Sequence, residues 1–178
     1  MKDKAQKVLF LDRDGVINQD DGYVYRKEAF IFCDGIFSLL KKAQSEGYLL
    51  IVVTNQSGIA RGYYTPEDFE RVMAYMREVF KKEGIEISSV YHCPHGPDDG
   101  CTCRKPKAGL FEQATRDFDV DMQHSWMIGD SERDIVAAKA AGISQTILLT
   151  KESKTSEAEY QVESLGAASA LIMIRRED

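Results

Sequence analysis

The sequence lacks any apolar run approaching the roughly 20 residues needed to span a bilayer. Its first apolar stretch, Val8 to Leu11, is too short for a signal peptide and runs straight into aspartates. Neither a membrane nor export is expected, and the cytoplasm is the expected compartment. A basic excess is missing too: 23 Lys and Arg face 29 Asp and Glu, for a net charge of -6. No basic face remains to neutralise a phosphate backbone, which argues against nucleic acid as a partner. A small anionic substrate would need local positive charge instead. Histidine is scarce, at three residues, and cysteine little commoner at four. Three of those cysteines share one short loop with a histidine, which in a reducing compartment reads better as metal ligation than as disulfides. Internal repeats and low-complexity blocks are also absent.

What the chain does have is alternation. Its 178 residues, 43% hydrophobic, are enough for one cored domain over 1-178. Val8 to Leu11, Tyr48 to Val53, Val90 to His92, Trp126 to Ile128 and Thr146 to Leu149 are brief and rich in β-branched or aromatic residues, as buried parallel strands are. Between them, Ile36, Leu39, Leu40 and Ala43 recur at helical spacing before Gly47. Thr65 and Pro66 open a second helix with the apolar face Phe69, Val72, Met73, Met76 and Phe80. Leu110, Phe111, Ala114 and Phe118 mark a third, and Ile135, Val136 and Ala138 a fourth. Strand and helix in turn predict an α/β fold: a three-layer, doubly wound, mainly parallel sheet. Lys151 to Glu159 is expected as a surface loop, and Tyr160 to Ile174 as a strand and a helical turn.

Two acidic clusters follow predicted strands. In Phe10-Leu11-Asp12-Arg13-Asp14-Gly15 the carboxylates Asp12 and Asp14 are two residues apart, and would face one side if the pleat continued. In Ile128-Gly129-Asp130-Ser131-Glu132-Arg133-Asp134, Asp130 sits at another strand tip. Ligands of open α/β sheets bind beyond such tips. Converging carboxylates offer the hard oxygen ligands that magnesium prefers. Asp134, one helical turn from Asp130, either supports that site from behind or serves as a first-turn aspartate favoured by the helix dipole. Thr54-Asn55-Gln56-Ser57-Gly58 ends a third strand in groups able to bind a phosphoryl oxygen, although such a run is also an ordinary turn. Arg104 and Lys105 place two cations before a helix.

Between Cys93 and Cys103 the spacing is Cys93-x-His95, five residues, Cys101-x-Cys103. Three thiols and an imidazole with no open position describe a structural tetrahedral zinc, and a disulfide within the loop is the alternative. His92 and His124 have no partner spacing.

In the order Asp12/Asp14, Thr54, Lys105, Asp130/Asp134, these elements resemble the phosphatases of the haloacid dehalogenase superfamily over roughly residues 7 to 150. The resemblance implies that Asp12 attacks phosphorus and that Asp14 acts as acid and then base, through an aspartyl-phosphate intermediate. It further implies that the Asp12 carboxylate, the Asp14 carbonyl and Asp130 hold Mg2+, and that Thr54 and Lys105 stabilise the transferring group. The gaps between motifs are too short for a separate cap domain. With the Zn2+ loop, Asp-Arg-Asp-Gly and Thr-Asn-Gln-Ser-Gly-Ile-Ala-Arg-Gly, the chain resembles the smaller family shared by heptose-1,7-bisphosphate 7-phosphatases and histidinol-phosphate phosphatases. Ser57 to Tyr64 and Asp20-Asp21-Gly22-Tyr23-Val24 look more like the heptose side. One departure from that side is Ser131, where lysine is common.

That resemblance implies a small phosphorylated sugar as substrate, in heptose supply for lipopolysaccharide or another surface glycan. Asp20, Asp21, Gly22, Tyr23, Thr54, Asn55, Gln56, Ser57, Arg104 and Lys105 would line its site, with Arg61 for a distal phosphate, in a monomeric enzyme. From other classes, a response-regulator receiver would carry its acceptor on the third strand rather than the first. A zinc-stabilised binding module would not need the full catalytic set.

Overall fold

The structure, a computed structural model, describes residues 5–174; the outer ends of the expected 1-178 domain lie outside the described residues. Six parallel strands form one sheet: β1 (Val8–Leu11), β2 (Leu49–Asn55), β3 (Ser89–Cys93), β4 (Trp126–Gly129), β5 (Gln145–Leu149) and β6 (Tyr160–Val162). Their spatial order is β3-β2-β1-β4-β5-β6. The chain steps outward from β1 to β3, then returns to the other side of β1 at β4. A reversal of this kind opens a crevice beyond the carboxyl ends of the strands, and here it lies between β1 and β4. Leu11 is in register with Val52 on one side and Ile128 on the other, so the residues after these strands emerge at one edge.

The pleat of β1 explains the layers. Leu9 and Leu11 pack with α1 (Ile36–Ser45), α2 (Pro66–Lys82) and α5 (Leu165–Ile174), whereas Val8 and Phe10 pack with α3 (Gly109–Asp117) and α4 (Glu132–Ala140). All four β1 residues are fully buried, as a central strand covered on both faces requires. Capping fixes where α2 starts: the Thr65 hydroxyl accepts from the Asp68 N–H (3.1 Å) and the Asp68 carboxylate accepts from the Thr65 N–H (2.9 Å).

The five expected strands are present, with β2 running on through Thr54 and Asn55. The tail holds more than the expected helical turn, since α5 spans ten residues and buries Leu165, Ala168 and Ile172. Its sequence is apolar on nearly every side, so no periodic face announced a helix. Residues 151–159 carry no strand or helix and are mostly exposed, as expected. Among the described residues no helix is long and apolar enough to cross a membrane.

Candidate active site

The loop that carries Asp12 and Asp14 begins where β1 stops. The Asp12 N–H still donates to the Ile128 carbonyl (3.0 Å), after which the N–H groups of Val16, Ile17 and Asn18 all turn back to the Arg13 carbonyl. Gly15 makes this turn possible: its φ is +88°, and a Cβ there would overlap the Asp130 carboxylate. The strand pleat ends at Leu11 and does not carry through to Asp14, yet Asp12 and Asp14 both face one cavity. Side chains aim Asp14 instead. Asp14 Oδ1 accepts from Arg13 Nε (3.1 Å), Arg13 Nη2 (2.5 Å) and Asn18 Nδ2 (3.0 Å), and Oδ2 accepts from Gln56 Nε2 (3.0 Å). Arg13 is 1% exposed and also donates to the Val24 carbonyl. Sequence reasoning passed over it, although a charged residue held between two aspartates after an apolar strand was a usable signal.

Lys105 joins the two acidic clusters. Only 1% exposed, its ammonium donates to Asp12 Oδ1 (2.9 Å) and the Val53 carbonyl (2.8 Å), and pairs with Asp134 Oδ1 (2.6 Å). Asn55 fixes the backbone that carries it, accepting from the Lys105 N–H (3.0 Å) and donating to the Lys105 carbonyl (3.1 Å). Asp12 Oδ1 also accepts from the Arg13 N–H (2.9 Å), so both donors meet one oxygen. Burial, and then the neighbouring Asp134 charge, push the Asp12 carboxyl well above its ordinary value. Burial opposes the charge on Lys105, but Asp12 and Asp134 outweigh it and hold the ammonium above the usual lysine value.

Asp134 is the first-turn aspartate that its sequence position allowed, and its second oxygen reaches Lys105. Its Oδ2 accepts from the Ser131 N–H (3.1 Å) in a capping box at the start of α4, while Oδ1 meets Lys105. The Ser131-x-x-Asp134 spacing signalled the cap; the ion pair with a residue from another loop had no local signal.

Carboxylate oxygens of Asp12, Asp130 and Asp134 lie within 4.8 Å of one another. Three hard donors converging at the switch point, with repulsion that a divalent cation would relieve, fit magnesium. Burial, then Asp134, raises the Asp130 carboxyl to about 6. A metal ligand must be ionised, so acid competes with metal. Magnesium affinity measured by titration calorimetry is accordingly expected to fall as pH drops through about 6; a pH-independent affinity would contradict this placement of Asp130.

A cavity of about 390 Å³ stands over these groups. Of the expected substrate residues, Asp20, Gly22, Tyr23, Asn55, Gln56, Ser57, Arg61, Arg104 and Lys105 line it, together with Asp12, Asp14 and Asp130. Two do not. Asp21 is exposed and off the cavity wall, and Thr54 is fully buried, its hydroxyl accepting from Gln56 Nε2 (2.9 Å). Tyr64, Ser131 and Arg133 line the cavity without having been expected there, and Asp134, expected behind the metal site, lines it too. Tyr64 donates to Gln56 Oε1, linking the second-strand loop to the group that holds Asp14.

Ligand atoms of Cys93, His95, Cys101 and Cys103 also lie within 4.8 Å of one another, and all three thiols are free. His95 Nδ1 is 3.5 Å from Cys93 Sγ and 3.3 Å from Cys103 Sγ. Burial resists ionisation of Cys101, but the Arg104 N–H and the Cys93 and Cys103 thiols outweigh it and bring that thiol down to about 6. A closed set of three sulfurs and one imidazole nitrogen fits structural zinc. The loop starts at the end of β3 and lies on the start of α3, where a Cβ on Gly109 would overlap the Thr102 carbonyl. It thereby delivers Arg104 and Lys105 to the cavity. Cys101→Ser is expected to lower the zinc content, measured by metal analysis, and to weaken turnover through Lys105; full zinc retention would rule out the ligand set.

Residues 102–170 match the HAD-hydrolase-like family. The D-glycero-α-D-manno-heptose-1,7-bisphosphate 7-phosphatase of Campylobacter jejuni is 50% identical over 159 residues, 89% of this chain and 91% of that protein. The chain belongs to the heptose-1,7-bisphosphate 7-phosphatase family. Within it, the D-glycero-β-D-manno-heptose-1,7-bisphosphate 7-phosphatase of Helicobacter pylori is likewise 50% identical, over 82% of this chain and 84% of its own. A crystal structure of the D,D-heptose 1,7-bisphosphate phosphatase of B. bronchiseptica, complexed with magnesium and phosphate, superposes with a TM-score of 0.82 at 31% identity, covering 93% of this chain and 97% of that one. The family's fold is thus the one described above. Two of its members at equal identity carry names with opposite anomers.

Proposed function

We propose that this protein is a magnesium-dependent phosphatase that removes the 7-phosphate of D-glycero-D-manno-heptose 1,7-bisphosphate. The observation that carries the reading is 50% identity along 89% of the chain to a 7-phosphatase of that substrate, joined to a cavity floored by Asp12, Asp14 and Lys105. It acts in the supply of heptose for lipopolysaccharide or another surface glycan. A cytoplasmic, monomeric enzyme with no nucleic-acid or membrane partner belongs to the same reading.

Asp12 is the nucleophile. Its Oδ1 is held by two donors, which leaves Oδ2 to attack phosphorus in line. As the bond from phosphorus to the sugar oxygen breaks, Asp14 in its acid form gives that oxygen a proton. Water then attacks the phosphorus of the acyl phosphate. Asp14, now a carboxylate, takes its proton, inorganic phosphate leaves, and Asp12 regains its charge. Arg13, Asn18 and Gln56 keep Asp14 in one orientation through both steps. Thr54 acts from beneath by holding Gln56, while Asn55 holds the Lys105 backbone. Magnesium, held by Asp12, Asp130 and the Asp14 carbonyl with Asp134 behind, supplies charge neutralisation for the transferring phosphoryl group. Asp20, Gly22, Tyr23, Ser57, Arg61 and Arg104 form the walls that bind the sugar and its other phosphate.

Phosphate release with magnesium, comparing the heptose bisphosphate with histidinol phosphate and with a chelator control, tests the reading. Much faster, chelator-sensitive release from the bisphosphate is expected. Preference for histidinol phosphate would overturn the substrate.

A further inference from the structure

The cavity contains more carboxylates than free cations. Asp12, Asp14, Asp20, Asp130 and Asp134 all line it, while the fourth cation on its wall, Lys105, is already committed to Asp12, Asp134 and the Val53 carbonyl. That leaves Arg61, Arg104 and Arg133. Arg104 donates through Nη1 to the His95 carbonyl (3.3 Å). The guanidinium groups of Arg61 and Arg133 make no hydrogen bond or ion pair with any described residue.

Arg133 is the less expected of these two. It sits in the first turn of α4, beside Glu132 and Asp134, where the positive end of the helix dipole disfavours a cation. It is exposed and contributes nothing to the core. Neither helix formation nor packing accounts for an arginine there. It also approaches the cavity from the β4 side of β1, whereas Arg61 approaches from the β2 side. A substrate with a phosphate at Asp12 and a second phosphate elsewhere would bring the second dianion over a floor of aspartates. Such a group is repelled unless a cation meets it at the wall, and a guanidinium can do so through two parallel N–H donors.

We propose that Arg133 is a specificity residue that grips the phosphate that is not cut, so that the site favours a bisphosphate over a sugar carrying the scissile phosphate alone. This rests on the bisphosphatase reading above. Arg133 acts in binding and takes no part in the transfer itself.

The test compares Arg133→Ala, Arg133→Lys and Arg133→Gln with the unaltered protein on two substrates, D-glycero-D-manno-heptose 1,7-bisphosphate and the 7-phosphate alone. The readout is the ratio of kcat/KM for the bisphosphate to that for the monophosphate. Loss of a charge-assisted contact predicts that this ratio falls about tenfold or more in the alanine and glutamine variants, mostly through KM. Lysine, which keeps the charge without the fork, is expected in between. The side chain is exposed, so the variants should keep their fold, and the glutamine variant, with similar reach, separates loss of charge from loss of bulk. An unchanged ratio would overturn the proposal, as would equal losses on both substrates, which would put Arg133 on the transferring phosphate. If the unaltered protein ignores the heptose bisphosphate but cuts other phosphate esters, the substrate reading itself fails and this inference with it.

Discussion

Asp12→Asn is expected to lower kcat by roughly 10⁴-fold or more, because in the proposed reaction it removes the attacking carboxylate rather than a group that merely helps it. The same variant is expected to fold as well as the parent, or better when magnesium is withheld. Asp12 is buried among Asp134, Asp130 and Asp14, and its carboxyl lies well above the ordinary range. A carboxyl raised on folding stabilises the protein fully below its unfolded pKa, and that contribution is lost as pH rises through the folded value. The ionised form of the group is therefore a liability to the fold, partly offset by Lys105, and a neutral amide relieves it. Phosphate release together with thermal melting in a chelator checks both halves. Substantial turnover in the variant would exclude covalent catalysis by Asp12.

Lys105→Met has the opposite balance. It removes the only described cation that contacts both Asp12 and Asp134, at a position 1% exposed. Leaving buried charge unmatched costs about 3–5 kcal/mol. For a chain of this size the melting temperature should fall by roughly 10 °C. Turnover should fall at least about 10²-fold, since the ammonium contacts Asp12 and, in the proposed reaction, stands beside the transferring charge. Magnesium, itself a cation able to relieve the same carboxylates, should restore part of the stability and little of the activity. A variant that melts with the parent would mean that Asp12 and Asp134 are neutralised by something other than Lys105.

These two side chains also mark what was legible in advance. Asp12, Asp14, Lys105 and Asp130 could be picked out because each follows an apolar strand or a cysteine-rich loop abruptly, and such boundaries are local. The alternation of β-branched runs with capped helices gave the parallel sheet for the same reason. The links between these segments were not local. Nothing near Asp134 announced that it would reach Lys105, 29 positions earlier in the numbering (134 − 105), because that contact depends on β3 and β4 lying on opposite sides of β1. Thr54 was expected on the substrate wall and is fully buried beneath it, since β2 runs two residues further than its apolar stretch suggested. Arg13 had a local signal in its place between two aspartates, but its partner, the Val24 carbonyl, lies in a later loop.

The zinc loop was the most legible piece of all, because four ligands at close spacing leave few other uses for so many thiols. Its consequence for the active site was harder to see. By resting on α3 and handing its exit residues to Asn55, the loop fixes Lys105 from both ends.

The most direct measurement of the central claim is phosphorus NMR of D-glycero-D-manno-heptose 1,7-bisphosphate during turnover by the magnesium-loaded protein. The account predicts that the 7-phosphate signal is replaced by inorganic phosphate while the 1-phosphate signal persists; loss of the 1-phosphate, or no loss of either, would contradict it.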